Sequence, residues 1–248
     1  MQRNVTLLEL SAGRRPRRLQ DFAAGLRNRV NRVTALASFL FSQRVIGFKV
    51  GDAPEFEAAS APLFTERLNA AGSYLEFGSG GSTVLAAQIG KPLVVVESDP
   101  IFLAAVQRKL HEAGVANGAV QTLLHADIGL TEAWGTPVFR ANGSERAAQW
   151  RRYAEAPWET LAKLPGPHLV LVDGRFRVAC ALSAVKFLRD RAGEILIDDY
   201  LDRPHYRVVE RYLRLERMAG RMALMRLRGD IDFDALDRDI EAHYADWR

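Results

Sequence analysis

The sequence has 248 residues, 48% of them hydrophobic and 26% charged, with a formal net charge of +4. That composition fits one sizeable globular domain with extensions and leaves too little length for two full domains. A single cysteine, Cys180, excludes an intramolecular disulfide framework, and no apolar run approaches the ~20 residues of a membrane span.

Residues 1–52 read as a basic, amphipathic helical extension. Residues 1–50 hold ten Arg or Lys against Glu9 and Asp21, which leaves the rest of the chain net acidic. The cluster Arg14, Arg15, Arg17 and Arg18 is either a solvated arm or, through residues 14–32, a contact for nucleic-acid phosphates or an anionic membrane surface, because clustered cations raise the local potential. Leu19, Phe22, Leu26, Val30, Val33, Leu36 and Leu40 recur at three- and four-residue intervals, with Arg27, Arg29 and Arg32 largely between them, as in an amphipathic helix. Its stripe suits packing on the main domain, pairing in a homodimer, or lying in a membrane interface. The Arg-rich start has the composition of a transit peptide or the basic part of a signal, but no small-residue cleavage site is evident. The expected location is cytoplasmic, with a membrane-peripheral one as the alternative.

Residues 53–229 read as one Rossmann-like domain. A helical stretch over 55–70 precedes short apolar runs at 74–77, 93–97, 120–124, 168–172 and 194–197, and helical spacing follows four of them at 82–89, 100–113, 178–190 and 204–213. Such alternation predicts an α/β fold: a doubly wound, mostly parallel sheet with helices on both faces. Runs at 215–218 and 222–227 flank Ala219-Gly220-Arg221, which predicts a C-terminal antiparallel hairpin. Residues 230–248 read as a peripheral helix. Cys180, in the apolar stretch 178–182, reads as a buried structural residue. The long segment around 129–165 carries Trp134, Trp150, Tyr153 and Trp158 and is expected to be a lid insertion, the alternative being a helix docked on the sheet.

The segment Tyr74-Leu75-Glu76-Phe77-Gly78-Ser79-Gly80-Gly81-Ser82-Thr83 runs from a strand through a glycine turn into a helix, where bare backbone and free N–H groups suit close approach by a ligand. No Lys follows the glycines, so it is not a nucleotide P-loop, and Thr83 occupies the third glycine position of a dinucleotide fingerprint. The chain also lacks the Tyr-x-x-x-Lys pair of short-chain dehydrogenases. The second run ends in Glu97, with Ser98 beside it, about twenty positions after the glycines, where a carboxylate can accept both hydrogens of a ribose diol. His125-Ala126-Asp127-Ile128 follows the third run, Asp173-Gly174-Arg175-Phe176-Arg177 the fourth, and Asp198-Asp199-Tyr200 the fifth, all at the carboxyl edge where open α/β sheets bind ligands. Arg175 or Arg177 suits a substrate carboxylate or phosphate, or a salt bridge. His205, in Asp202-Arg203-Pro204-His205-Tyr206, is a candidate general base.

The glycine segment resembles motif I of the class I S-adenosylmethionine-dependent methyltransferases, an acidic residue, one residue, then Gly-x-Gly, over a resemblance spanning about residues 55–228. The Glu-Phe-Gly-Ser-Gly-Gly-Ser-Thr loop and Asp-Gly-Arg-Phe-Arg turn look most like a bacterial branch of that family. The resemblance implies S-adenosylmethionine held by Glu76, Gly78, Ser79, Gly80, Gly81, Ser82 and Thr83, by Glu97 and Ser98 at the ribose, by Asp127 and Ile128 at the adenine, and beside Asp173. Asp173 and His205 are then the catalytic candidates. Asp173, Asp198 and Asp199 have the spacing of the metal-dependent O-methyltransferases and are the candidate ligands of Mg2+, a cation that prefers hard oxygen donors. The implied activity is methyl transfer to an oxygen or nitrogen of a small-molecule or saccharide-like acceptor. The rival reading is a nucleic-acid or membrane-surface binding protein in which the Rossmann-like domain is an inert scaffold.

Overall fold

A computed structural model describes residues 34, 35, 37–41, 43, 47–140 and 144–248. The basic cluster and the contact expected of residues 14–32 lie outside the described residues. Residues 34, 35 and 37–41 are helical.

The domain is a seven-stranded sheet of β1 (Ser73–Phe77), β2 (Leu93–Glu97), β3 (Gln121–His125), β6 (His168–Val172), β7 (Gly193–Ile197), β8 (Leu213–Ala219) and β9 (Met222–Leu227), in the order β3-β2-β1-β6-β7-β9-β8. The first five run parallel, and β9 enters antiparallel between β7 and β8. The two short strands β4 (Thr131–Glu132) and β5 (Thr136–Pro137) form a separate antiparallel hairpin.

The central strands form because their residues are β-branched or bulky and both faces are covered; every residue of β1, β2 and β6 is buried. Alternate side chains then serve two cores. Leu75, Phe77, Val94, Val96, Val170, Val172, Ile195 and Ile197 face α6 (Arg177–Leu188) and α7 (Phe233–His243). Tyr74, Leu93, Val95, Leu169, Leu171 and Leu196 face α1 (Ser60–Ala70), α2 (Gly81–Gln88) and α3 (Pro100–Glu112). Helix α3 starts where Asp99 accepts from the N–H groups of Ile101 (2.9 Å) and Phe102 (3.1 Å), with Pro100 in its first turn and Lys109 and His111 in its last. Cys180 is fully buried in α6.

Two expectations change. Residues 204–211 are a 3₁₀ run rather than an α-helix. Tyr206, Val209 and Tyr212 are all buried, and a spacing of three lines them up at three residues per turn, not 3.6. The segment 129–165 also divides. Its helices α4 (Ser144–Glu155) and α5 (Trp158–Leu161) carry Trp150 and Tyr153 into the core, with ring centroids 5.4 and 5.6 Å from Phe176, while Trp158 stacks on Phe187 at 5.1 Å. Burial of those rings makes α4 and α5 a docked layer of the fold. The β4–β5 hairpin stands outside that layer, with Trp134 82% exposed at its turn.

Candidate active site

The glycine turn joins β1 to α2 at the carboxyl edge of the sheet, where the helices after β1 and β6 go to opposite faces and open a crevice. Glu76 is buried at the base of this turn. Its carboxylate accepts hydrogen bonds from the hydroxyls of Ser82 and Thr83 (2.7 Å to Thr83), and Thr83 Oγ1 in turn accepts from the N–H of Gly80 at 3.1 Å. Burial pushes the Glu76 carboxyl up to about 8, against the two hydroxyls that lower it. These three residues, expected on the cofactor, are turned inward and fasten the loop to the first turn of α2.

Gly80 and Gly81 have different duties. Gly80 has a φ of +157°, and a Cβ there would meet nothing within 4 Å, so its backbone faces open space. A Cβ on Gly81 would lie 1.9 Å from the Ala53 carbonyl oxygen, because the chain entering the domain crosses directly over the loop.

Glu97 ends β2 facing the loop. Its Oε1 accepts from the backbone N–H groups of Ser98 (2.6 Å) and Asp99 (2.9 Å) and from the Ser98 hydroxyl (3.2 Å), and its Oε2 accepts from the Ser79 hydroxyl at 2.7 Å. Burial raises the pKa of this carboxyl, and the amides and hydroxyls oppose it. The turn Ala133–Gly135 roofs the same spot: a Cβ on Gly135 would be 2.8 Å from Ser98 Oγ and 3.9 Å from both Glu97 Oε1 and Arg175 Cγ. Asp127 is exposed and accepts from the N–H of Gly129 at 2.8 Å. Ile128 is 2% exposed beneath Trp150, whose indole N–H donates to the Ile128 carbonyl at 3.0 Å, so its side chain belongs to the core rather than to a ring-binding surface.

Asp173 follows β6 and is tied to β1 through its N–H, which donates to the Phe77 carbonyl at 3.0 Å. Burial pushes its carboxyl up to about 7, with Arg177 opposing and Asp198 and Asp199 adding. Arg177 is the hub of this edge. Its buried guanidinium donates to the carbonyls of Gly174 (3.0 Å), Asp173 (2.8 Å) and Asp198 (2.7 Å) and pairs with the carboxylates of Asp173 (3.1 Å) and Asp199 (3.4 Å). Asp199 is further paired with Arg203 (3.3 Å) and Arg221 (3.0 Å).

These carboxylates do not fit the Mg2+ expected of Asp173, Asp198 and Asp199. A guanidinium stands between Asp173 and Asp199, and among the described residues no group of three or more His, Cys, Asp or Glu side chains converges as a metal site. His205 is exposed, with its ring edge-on to Tyr206 at 4.6 Å, and no hydrogen bond joins it to Asp173. Burial lowers its pKa, with Arg248 adding.

Other residues reach this edge without having been expected there. Gln43 donates to the Asp99 carboxylate, Phe48 meets Phe102 edge-on at 5.0 Å, and the Tyr153 hydroxyl accepts from the N–H of Arg175 at 3.4 Å. Tyr153 and the Trp134-Gly135 turn were visible as aromatics of the long insertion, but Gln43 and Ala53 come from distant parts of the chain and carry no motif.

No protein-family model and no curated protein matches the sequence. Solved structures do match. A methyltransferase-like protein from Silicibacter pomeroyi is 32% identical, with a TM-score of 0.65 over 77% of this chain and 99% of that one. An SAH-bound methyltransferase of Podospora anserina is 18% identical, with a TM-score of 0.40 over 67% of this chain and 76% of that one. A methyltransferase from Geobacter sulfurreducens is 13% identical, with a TM-score of 0.43 over 79% and 90%. With the Silicibacter protein matched over nearly its whole length, and with the sheet order and glycine loop described above, the chain belongs to the class I S-adenosylmethionine-dependent methyltransferase family.

Proposed function

We propose that this chain binds S-adenosylmethionine in the crevice between the glycine turn and the end of β2 and transfers its methyl group to an oxygen or nitrogen of a small-molecule acceptor. The observation that carries this reading is Glu97, a buried carboxylate aimed at the loop with one oxygen fixed by two backbone amides and the other held only by the Ser79 hydroxyl. A ribose diol replaces that hydroxyl without leaving a buried charge unpaired. The open backbone at Gly80 and the roof at Gly135 fit a nucleoside between them.

When bound, the sulfonium supplies an electrophilic methyl group, and the chain supplies position and a proton acceptor. Glu97 fixes the ribose, and the Ala133–Gly135 turn shields the crevice from water. The acceptor's attacking O–H or N–H loses its proton as the new bond to the methyl carbon forms. Asp173, with a carboxyl near 7, sits on the same edge to take that proton. Methyl transfer written this way calls for no metal ion.

The test is calorimetric titration with S-adenosylmethionine. Wild type is expected to bind, and Glu97→Ala to bind at least about tenfold more weakly, since it removes a charge-assisted pair of hydrogen bonds. No binding by the wild type, or equal binding by the variant, would overturn the proposal.

A further inference from the structure

Arg175 stands apart from the other arginines of the carboxyl edge. Arg177, Arg203 and Arg221 all pair with Asp199, whereas the Arg175 guanidinium makes no hydrogen bond or ion pair among the described residues, and its Nε is buried. Burial lowers its pKa, with Arg177 adding, as expected of a cation that lacks its anion. A second polar group nearby is also unsatisfied. Tyr206 is 1% exposed, and its hydroxyl is buried without a hydrogen-bond partner, under the charges of Arg177, Arg203 and Arg175.

Two unsatisfied donors at one edge of a crevice are costly to fold, because the Arg175 Nε and the Tyr206 hydroxyl have each lost water and gained no partner. Their position is informative too. The stem of Arg175 lies 3.9 Å from where a Gly135 Cβ would be, the same point that is 3.9 Å from Glu97 Oε1, so the guanidinium springs from the wall of the crevice. The nearby carboxylate of Asp173 is already paired with Arg177 and does not satisfy it. A forked guanidinium and a phenol O–H together match the oxygens of a carboxylate or phosphate.

We infer that Arg175 and Tyr206 form an anion subsite for the methyl acceptor, which therefore carries a carboxylate or a phosphate close to the atom that is methylated. This rests on the methyltransferase reading above and narrows it: an uncharged sugar or phenol lacks the group these donors await. The cofactor's own carboxylate is the other source of the same chemistry, and the experiment separates the two.

The 248-residue wild type, Arg175→Met, Arg175→Lys and Tyr206→Phe are titrated with S-adenosylhomocysteine and with 5′-methylthioadenosine, which lacks the amino-acid carboxylate. The protein loaded with S-adenosylhomocysteine is then titrated with phenyl phosphate, benzoate and neutral benzyl alcohol. Expected are nucleoside affinities that change by less than about threefold, binding of at least one anion in preference to benzyl alcohol, and a loss of about tenfold in that anion's affinity in Arg175→Met. Tyr206→Phe weakens the anion less, and Arg175→Lys restores part of it, which separates loss of the charge from misfolding. Should Arg175→Met weaken S-adenosylhomocysteine but not methylthioadenosine, the guanidinium serves the cofactor and the inference fails. It fails as well if neither anion binds, or if benzyl alcohol binds equally. Those outcomes leave the methyltransferase reading standing, whereas that reading falls if the wild type binds neither nucleoside.

Discussion

Glu76 shows how one buried carboxyl links the glycine loop to solution conditions. Its folded pKa of about 8 is above its ordinary 4.5, so between those values the folded chain holds more protons than the unfolded chain. Its contribution to stability is therefore complete below about pH 4.5 and is lost as the pH rises through about 8. Asp173, pushed up to about 7, acts in the same direction over the lower part of that window. Thermal melting is expected to fall progressively from pH 5 to pH 8.5 in the wild type. In Glu76→Gln, which cannot ionise and keeps an acceptor oxygen for one of the two hydroxyls, the fall should be shallower; an unchanged slope would show that Glu76 is not the titrating group. This role was hidden in the sequence, where Glu76 is simply the acid of a motif. The motif shows that a carboxylate is present, and the hydroxyls at 82 and 83 decide that it faces inward.

Among the elements, the docked pair α4 and α5 contrasts with the β4–β5 hairpin. Trp150 fills the core against Phe176, so Trp150→Ala is expected to cost about 3–5 kcal/mol in chemical denaturation. Trp134, exposed on the hairpin, should change stability by no more than about 0.5 kcal/mol when replaced by Ala. Equal effects of the two would contradict this division of the insertion. Sequence periodicity cannot make the division, since an aromatic at helical spacing looks the same whether its ring enters the core or covers a ligand. The central strands were easier to read because residues 93–96 and 169–172 are short apolar, β-branched-rich runs followed by glycine- or acid-bearing turns, the pattern of parallel strands buried on both faces. The 3₁₀ run at 204–211 was mistaken for an α-helix because spacings of three occur in both. The contact of Ala53 with Gly81 left no trace at all, as the two are 28 positions apart and either glycine of the loop suits a ligand equally well on paper.

At the scale of the whole molecule, sheet order governs how the parts depend on one another. The pairing of β1 with β2 and β6 places Glu97 and Asp173 on the two sides of the glycine turn, and Asp198, Asp199 and Tyr206 join the same edge only after β7 has been made. The other end of the sheet behaves differently. β9 lies between β7 and β8 although it is made after both, so β8 has no strand to pair with until Met222–Leu227 has been added. Until β9 is made, β7 has one unpaired edge and β8 has no partner strand. A chain ended at residue 221 is expected to aggregate on expression, and one ended at residue 229 to remain soluble more often, because β9 then pairs with both β7 and β8 even though α7 is missing. Sedimentation of the two truncated chains measures this, and a soluble, monomeric 1–221 would show that β7 tolerates an unpaired edge. Among the described strands the one that bridges β7 and β8 is thus made after both, and the interval before its arrival is when those two strands stand open to pairing with another chain.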